Sequence, residues 1–167
     1  ETDVAWAPLD CLVIDLPPGT GDVQLTLTQS TPLDGAVIVT TPSLVAQEDV
    51  RRGVEMFNTV DVPVLGVIEN MAWFVDGDGR RHHVFGQGGG EELGGRFGVP
   101  LLCQLPLDPI AYGRTFDSYT GDEGFAQASE AVVRALGRSK AISQAKPEVA
   151  FDERTIWLLY TYDGADE

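Results

Sequence analysis

Lysine is nearly absent from this sequence: among its 167 residues the only lysines are Lys140 and Lys146. In total, 11 basic residues stand against 26 acidic ones, which gives a net charge of −15. The field around such a surface repels nucleic acid and anionic membranes. Long apolar runs are missing as well, since none approaches the roughly 18 residues of a membrane-spanning helix. We therefore expect a soluble protein that binds neither nucleic acid nor membranes.

Cysteine is also rare, with Cys11 and Cys103 as the two examples. Each lies inside an apolar run typical of a β-strand, so the sequence predicts two buried thiols in a reducing compartment instead of a disulfide framework. The start of the chain lacks both an initiator Met and the basic and apolar segments of a signal peptide. We interpret the missing Met as an indication that the gene product begins upstream of Glu1.

What the sequence does contain is a regular alternation of two hydrophobic patterns. Four short runs are apolar at nearly every position, which is typical of strands covered on both faces in a parallel sheet. These runs are Leu12–Ile14, Ala36–Val39, Val64–Ile68 and Pro100–Leu105. Predicted helices cover Val23–Gln29 after a capping Asp22, Ser43–Thr59, and Phe125–Leu136 before a terminating Gly137. The alternation predicts an α/β fold with a doubly wound, mostly parallel sheet.

The composition changes near residue 138. We predict a polar linker at 139–150, which contains Pro147, and a further strand at Thr155–Tyr160. Because a lone strand is not a domain, residues 151–167 are predicted to be the start of a truncated β-rich module.

Polar residues follow the predicted strands, where open α/β sheets place their ligands. Asp15 ends the first strand, and the other three ends carry Thr40–Pro42, Glu69–Met71 and Pro106–Pro109. A strand-end Asp followed by a glycine turn is typical of folds that hold Mg²⁺ through water and contact a terminal phosphate through a backbone N–H. The four ends together predict a ligand site at one edge of the sheet.

Several longer motifs occur in the order expected for one family. They are VIDLPPGTGD, GAVIVTTP, RRGVEMF, VPVLGVIENM, FGQGGG, and GVPLL followed by LPLDP. Over about Leu9–Asp108 they resemble the Mrp branch of the MinD/ParA-type P-loop ATPases, which are ATP-dependent carriers of iron–sulfur clusters. The later part is similar to the chloroplast iron–sulfur scaffold of that branch, which has a β-rich module behind its ATPase domain.

The resemblance implies that residues 1–138 are the C-terminal half of a P-loop ATPase domain. Its first strand, in the middle of the sheet, and its Gly-Lys-Ser/Thr phosphate loop would then precede residue 1. The rival glycine-rich segment Gly86–Glu92 contains no Lys and places two acidic residues where phosphate would bind. By resemblance, Asp15 is the catalytic carboxylate that holds Mg²⁺ through water, and Pro17 and Gly19 lie at the γ-phosphate. The chain alone is expected to be inactive, whereas the intact protein is expected to hydrolyse ATP.

The resemblance also assigns the other side of the nucleotide. Asn70 and the loop formed by Pro106, Leu107 and Asp108 are expected to contact the adenine side of ATP. The intact protein is expected to be a homodimer that transfers clusters to apoprotein clients, in the plastid stroma or the cytoplasm.

Ligands for the iron–sulfur cluster are not identifiable in this sequence. Most members of the family place two cysteines two residues apart just after the ENM motif, and a dimer pools four thiolates. Here the corresponding segment, Val75–Arg80, contains two Asp-Gly pairs typical of a hairpin turn. Adjacent His82 and His83 point to opposite faces of an extended segment, so a shared metal is not predicted.

Three hypotheses for the function remain open at this stage. The first is a piece of an ATPase that loads and delivers iron–sulfur clusters. The second is an ATPase of the same fold that kept nucleotide switching and lost the cluster. The third is a non-catalytic partner domain without its own phosphate loop.

Overall fold

The computed structural model describes residues 11–16, 22–107, 123–143 and 156–161. Three predicted site residues, Pro17, Gly19 and Asp108, lie outside these ranges. Within them we number the elements in chain order. The strands are β1 (Leu12–Leu16), β2 (Gly35–Thr40), β3 (Val64–Glu69), β4 (Phe74–Val75), β5 (Arg81–His82), β6 (Leu101–Gln104) and β7 (Ile156–Thr161). The helices are α1 (Asp22–Ser30), α2 (Leu44–Thr59), α3 (Gly89–Phe97) and α4 (Glu123–Ser143).

Five strands form one parallel sheet in the order β1-β7-β2-β3-β6. The short strands β4 and β5 pair antiparallel as a separate hairpin. Helices α2 and α3 pack against β2 and β3, and α4 packs against β6, β3 and β2. The predicted α/β fold with a mostly parallel sheet is therefore confirmed.

The core consists of one apolar cluster on each face of the sheet. Ala36 and Ile38 of β2 belong to the cluster that contains Val50 and Phe57 of α2. Val37, between them in sequence, belongs to the other cluster, together with Leu136 of α4. Successive side chains of a strand point to opposite faces, and β2 is apolar throughout because both of its faces are covered.

The helices begin where predicted, but one ends later. Ser43 accepts a hydrogen bond from the Val45 N–H at 3.3 Å and caps α2. Helix α4 continues through Gly137 to Ser143, so the predicted stop at Gly137 is wrong and the helix enters the predicted linker. A helical glycine costs only about 1 kcal/mol relative to alanine, which the good helix formers that follow offset. In the part of the chain that the structure describes, no helix has the length and apolar content needed to cross a bilayer.

Strand β7 lies inside the main sheet, between β1 and β2. Leu158 pairs with Ile14 on one side and with Ala36 on the other. From the resemblance we expected the middle of the sheet to hold a strand that precedes residue 1. From the sequence pattern we expected β7 to belong to a separate module. The structure differs because a parallel strand at this position pairs the backbone N–H and C=O groups of both neighbours. The extent of a module at 151–167 stays a prediction.

Gly94 and Gly95 on α3 have opposite surroundings, which gives a matched pair of substitutions. A Cβ atom at position 94 would lie 2.6 Å from the Val99 carbonyl oxygen, whereas at position 95 nothing lies within 4 Å. We expect Gly94→Ala to lower the free energy of unfolding by about 2 kcal/mol, because backbone must shift. We expect Gly95→Ala to raise it by roughly 0.5–1 kcal/mol through helix propensity. Urea denaturation of both variants measures this, and equal effects would contradict the packing described.

Candidate functional site

Asn70 lies at the carboxyl edge of the sheet, directly after β3. Its backbone N–H donates to the Thr40 carbonyl at 2.7 Å and joins the ends of β3 and β2. Its Oδ1 accepts from the Met71 N–H at 2.9 Å, and Met71 has a φ of 56°, so the chain turns sharply here. The side-chain NH₂ is the group with which Asn70 can donate to a ligand.

The loop after β6 runs beside this turn. The Leu105 N–H donates to the Glu69 carbonyl at 2.8 Å, and the Ala72 N–H donates to the Leu105 carbonyl at 2.9 Å. The Leu107 N–H donates to the Trp73 carbonyl at 2.7 Å. These bonds bring Pro106 and Leu107 next to the turn that begins at Asn70, although their roles in binding stay predictions.

An apolar cavity of about 450 Å³ opens beside Asn70, between the sheet and α4. Its lining includes Val39, Ile68 and Leu105 from the sheet side and Val132 from α4. A largely apolar cavity with an amide at its margin suits a planar aromatic ring that also accepts or donates hydrogen bonds.

Asp15 occupies a different part of the edge. It is exposed. In the register of the sheet, Asp15 is level with Leu159 of β7 and Val37 of β2, and Val37 is level with Gly66 of β3. Asn70 is therefore four residues further along the strand direction, and β7 and β2 stand between β1 and β3. The structure does not bring Asp15 together with the group of Asn70, Pro106 and Leu107.

Glu69 is a structural residue whose role the sequence analysis missed. Its side chain is 1% exposed, and its Oε2 accepts from the Gly90 N–H at 2.6 Å. Its Oε1 accepts from Gln104 Nε2 at 2.6 Å. Glu69 thereby joins the first turn of α3 to β3 and β6. The available signal was an acidic residue at the end of an apolar strand, since a buried carboxylate requires donors.

The FGQGGG motif forms a tight loop and the first turn of α3. A Cβ atom at Gly89 would lie 2.8 Å from the Pro42 carbonyl oxygen, and one at Gly90 would lie 2.8 Å from Leu101. These glycines allow α3 to approach the strand ends closely. The exposed Glu91 and Glu92 in the first turn of α3 disfavour phosphate at that helix end.

The turn of the β4–β5 hairpin is closed by the side chain of Asp76. Asp76 Oδ1 accepts from the Asp78 N–H at 3.0 Å and the Arg80 N–H at 2.9 Å, and Asp76 Oδ2 lies 2.6 Å from His82 Nε2. The hydrogen bond from His82, followed by the one from Arg80, holds the pKa of Asp76 below its usual range. The ionised Asp76 carboxylate therefore stabilises the folded hairpin at pH values above the usual carboxyl pKa. This stabilisation is lost as the pH falls through the lowered pKa of Asp76.

The cysteines do not form a ligand set. Cys11 is exposed, so its predicted burial is wrong, because it precedes β1 at the outer side of the sheet. Cys103 on β6 is half-buried, and burial raises the pKa of its thiol. Strands β1 and β6 are the outer strands of the sheet, on the order of 19 Å apart at about 4.8 Å per strand. Within the described ranges no three His, Cys, Asp or Glu side chains form a group able to hold a metal ion.

Comparison with known proteins identifies the family of the chain. The family model described as ParA, NUBPL iron-transfer P-loop NTPase, matches residues 1–141. The chain belongs to this family. The family resemblance seen in the sequence motifs is therefore confirmed.

Two relatives of the chain carry descriptive names. The iron-sulfur cluster carrier protein of Pseudomonas fragi is 57% identical over 107 residues, which cover 64% of this chain and 37% of that protein. The chloroplastic Fe-S cluster assembly factor HCF101 of Arabidopsis thaliana is 50% identical over 123 residues, which cover 74% of this chain and 22% of that protein. The chain thus spans little more than a third of the length of the first relative and less of the second.

A solved structure shares the fold of the chain. It is a nucleotide-binding protein from Archaeoglobus fulgidus in complex with ADP, with 28% sequence identity and a TM-score of 0.50. The match covers 79% of this chain and 46% of that one.

Proposed function

We propose that the intact protein binds and hydrolyses ATP and carries iron–sulfur clusters to apoproteins. The observation that carries this proposal is the arrangement of Asn70 and the Pro106–Leu107 loop beside an apolar cavity, in a chain of an iron-transfer NTPase family. The names of the carrier and assembly-factor relatives support the cluster as cargo.

In this proposal, the adenine ring occupies the cavity beside Asn70. The Asn70 NH₂ donates to a ring nitrogen, and Pro106 and Leu107 approach the ring from the β6 side. Asp108 is also proposed to contact the adenine side of the nucleotide. The apolar wall formed by residues such as Ile68 removes the ring from water, while the amide supplies orientation.

Asp15 fits a Mg²⁺ ion held through water. Magnesium keeps several of its waters and needs only one or two carboxylates, and an exposed strand-end Asp leaves room for those waters. When bound, the ion neutralises charge on the β- and γ-phosphate oxygens. In this proposal Asp15 and Asn70 contact opposite ends of one nucleotide, and β7 and β2 lie between their strands. Pro17 and Gly19 are proposed to lie at the γ-phosphate.

The ligands of the cluster are proposed to lie outside the described residues. Cys11 and Cys103 stand at the two outer strands and cannot bind one cluster together within a single chain. We propose that the intact protein is a homodimer. The plastid stroma is supported by the chloroplastic relative, and the cytoplasm by the bacterial carrier.

Cluster loading and transfer by the intact protein test this function. We expect reconstitution with ferric iron and sulfide to give a visible charge-transfer absorption band that moves to an added apoferredoxin. Cys11→Ser and Cys103→Ser are expected to keep the band, because these thiols are not ligands in the proposal.

The opposite result distinguishes the remaining hypotheses. A folded protein that binds ATP and shows no cluster band would support a nucleotide switch that has lost its cargo, as the hairpin in place of the cysteine pair allows. A protein that binds neither ATP nor a cluster would support a non-catalytic partner domain.

A further inference from the structure

The β4–β5 hairpin exposes two arginines, Arg80 and Arg81, next to the carboxylates of Asp76 and Asp78 in the turn. All residues from 77 to 87 are exposed. Arg80 and Arg81 form no ion pair within the described residues, whereas Arg51, Arg52 and Arg134 each pair with a carboxylate on their own helix. Both guanidinium groups can therefore donate to a carboxylate of another molecule.

Contacts within the hairpin fix this surface before any partner binds. Asp76 accepts both backbone N–H groups of the turn and the His82 side chain. The Arg81 guanidinium carbon lies 4.5 Å from the centre of the Trp73 ring, which holds the arginine in a cation–π contact. A surface ordered in advance loses little conformational entropy on binding.

Apolar side chains flank the two arginines. Val75, Val84 and Phe85 are 45%, 64% and 42% exposed. We define the hairpin patch as Val75, Arg80, Arg81, Val84 and Phe85. We propose that the hairpin patch docks an acidic segment of a protein partner that also carries an apolar side chain.

The number and setting of the charges favour a short acidic segment over a polyanion. Two arginines match two or three carboxylates, which they can bind in a bidentate geometry. The chain has a net charge of −15, which repels every anionic partner. A nucleic acid or an anionic membrane extends well beyond the patch and would place most of its charges against this acidic surface, whereas a short segment places its few carboxylates at the two arginines. The exposed Phe85 and Val84 can contact the apolar side chain of such a segment, which fixes the position of the segment along the patch.

The hairpin patch is connected to the loop after β6. His83 Nδ1 donates to the Ala72 carbonyl at 2.8 Å, and the Leu107 N–H donates to the Trp73 carbonyl. A partner on the patch would therefore adjoin the Pro106–Leu107 loop. The proposal rests on the hairpin alone and does not require that the protein carry a cluster, so the two proposals can fail separately.

Binding of a labelled peptide to the intact protein tests the docking site. The probe is a fluorescent peptide of Asp and Glu residues interrupted by Leu and Phe, and its anisotropy gives the Kd. We expect the double variant Arg80→Glu, Arg81→Glu to raise the Kd about 10- to 100-fold, because charge-assisted hydrogen bonds are lost. The matched control Arg52→Glu, Arg134→Glu has the same change of net charge at exposed positions elsewhere, and we expect its Kd within about twofold of the unmodified value. Arg80→Lys, Arg81→Lys keeps the charge and loses the bidentate geometry, so an intermediate Kd is expected.

Four results would overturn the proposal. An equal loss in the control variant would show a general field effect without a site, and absence of peptide binding would show no site. Stronger binding to phosphatidylserine vesicles or to single-stranded DNA, lost in Arg80→Glu, Arg81→Glu, would assign the patch to another class of partner. A dimer that dissociates in that variant, as measured by sedimentation, would assign it to a second copy of the chain.

Discussion

Asp15→Asn in the intact protein is expected to lower ATP hydrolysis about 100-fold or more. Loss of one group that stabilises transition-state charge typically has this effect, and Asp15 is the proposed charge partner of the Mg²⁺ ion. The substitution removes one negative charge at an exposed position of β1 and changes the shape of the side chain little. Phosphate release at saturating ATP and Mg²⁺ measures the change.

Asp61→Asn is a matched control for this substitution. Asp61 is exposed, precedes β3 at the opposite edge of the sheet, and has a φ of 57°, which asparagine also tolerates. We expect its hydrolysis rate to stay within about twofold of the unmodified rate, as is usual for surface changes away from special features. An Asp15→Asn protein as active as the control would remove Asp15 from the proposed site.

Glu69→Ala is expected to lower the free energy of unfolding by about 3 kcal/mol. The Gly90 N–H and the Gln104 amide would each lose a buried acceptor, and a cavity would replace the carboxylate. At roughly 2–4 °C per kcal/mol, the melting temperature should fall by about 6–12 °C. Thermal unfolding followed by circular dichroism measures it.

Glu130→Ala supplies the comparison. Glu130 pairs with Arg134 on exposed α4, where an ion pair of this kind contributes only about 0.5 kcal/mol or less. Glu69→Gln keeps one acceptor oxygen but places an NH₂ group against a donor, so an intermediate loss is expected. If Glu69→Ala unfolds no more easily than Glu130→Ala, the buried carboxylate does not stabilise the attachment of α3 to the sheet.

The sequence predicts those residues of the candidate site whose place depends on the local hydrophobic pattern. The end of β3 before Asn70 was predictable, because an apolar run that stops at a polar residue marks the end of a strand. The partners of Glu69 were not, since Gly90 and Gln104 lie 21 and 35 residues away along the chain. The hydrophobic periodicity shows on which side of a strand or helix a residue lies. It does not show which residue from a distant part of the chain contacts it.

Short-range patterns were enough to predict the α/β class, the extent of α2, the hairpin turn at Val75–Arg80 and the family, because each follows from periodicity, capping residues or contiguous motifs. The pairing of distant strands was needed to show that β7 lies between β1 and β2, that Cys11 is exposed, and that Asp15 stands apart from Asn70. These features depend on which strands pair. Pairing is selected by backbone hydrogen bonds and by coverage of both faces of the sheet, and those are properties of the assembled chain.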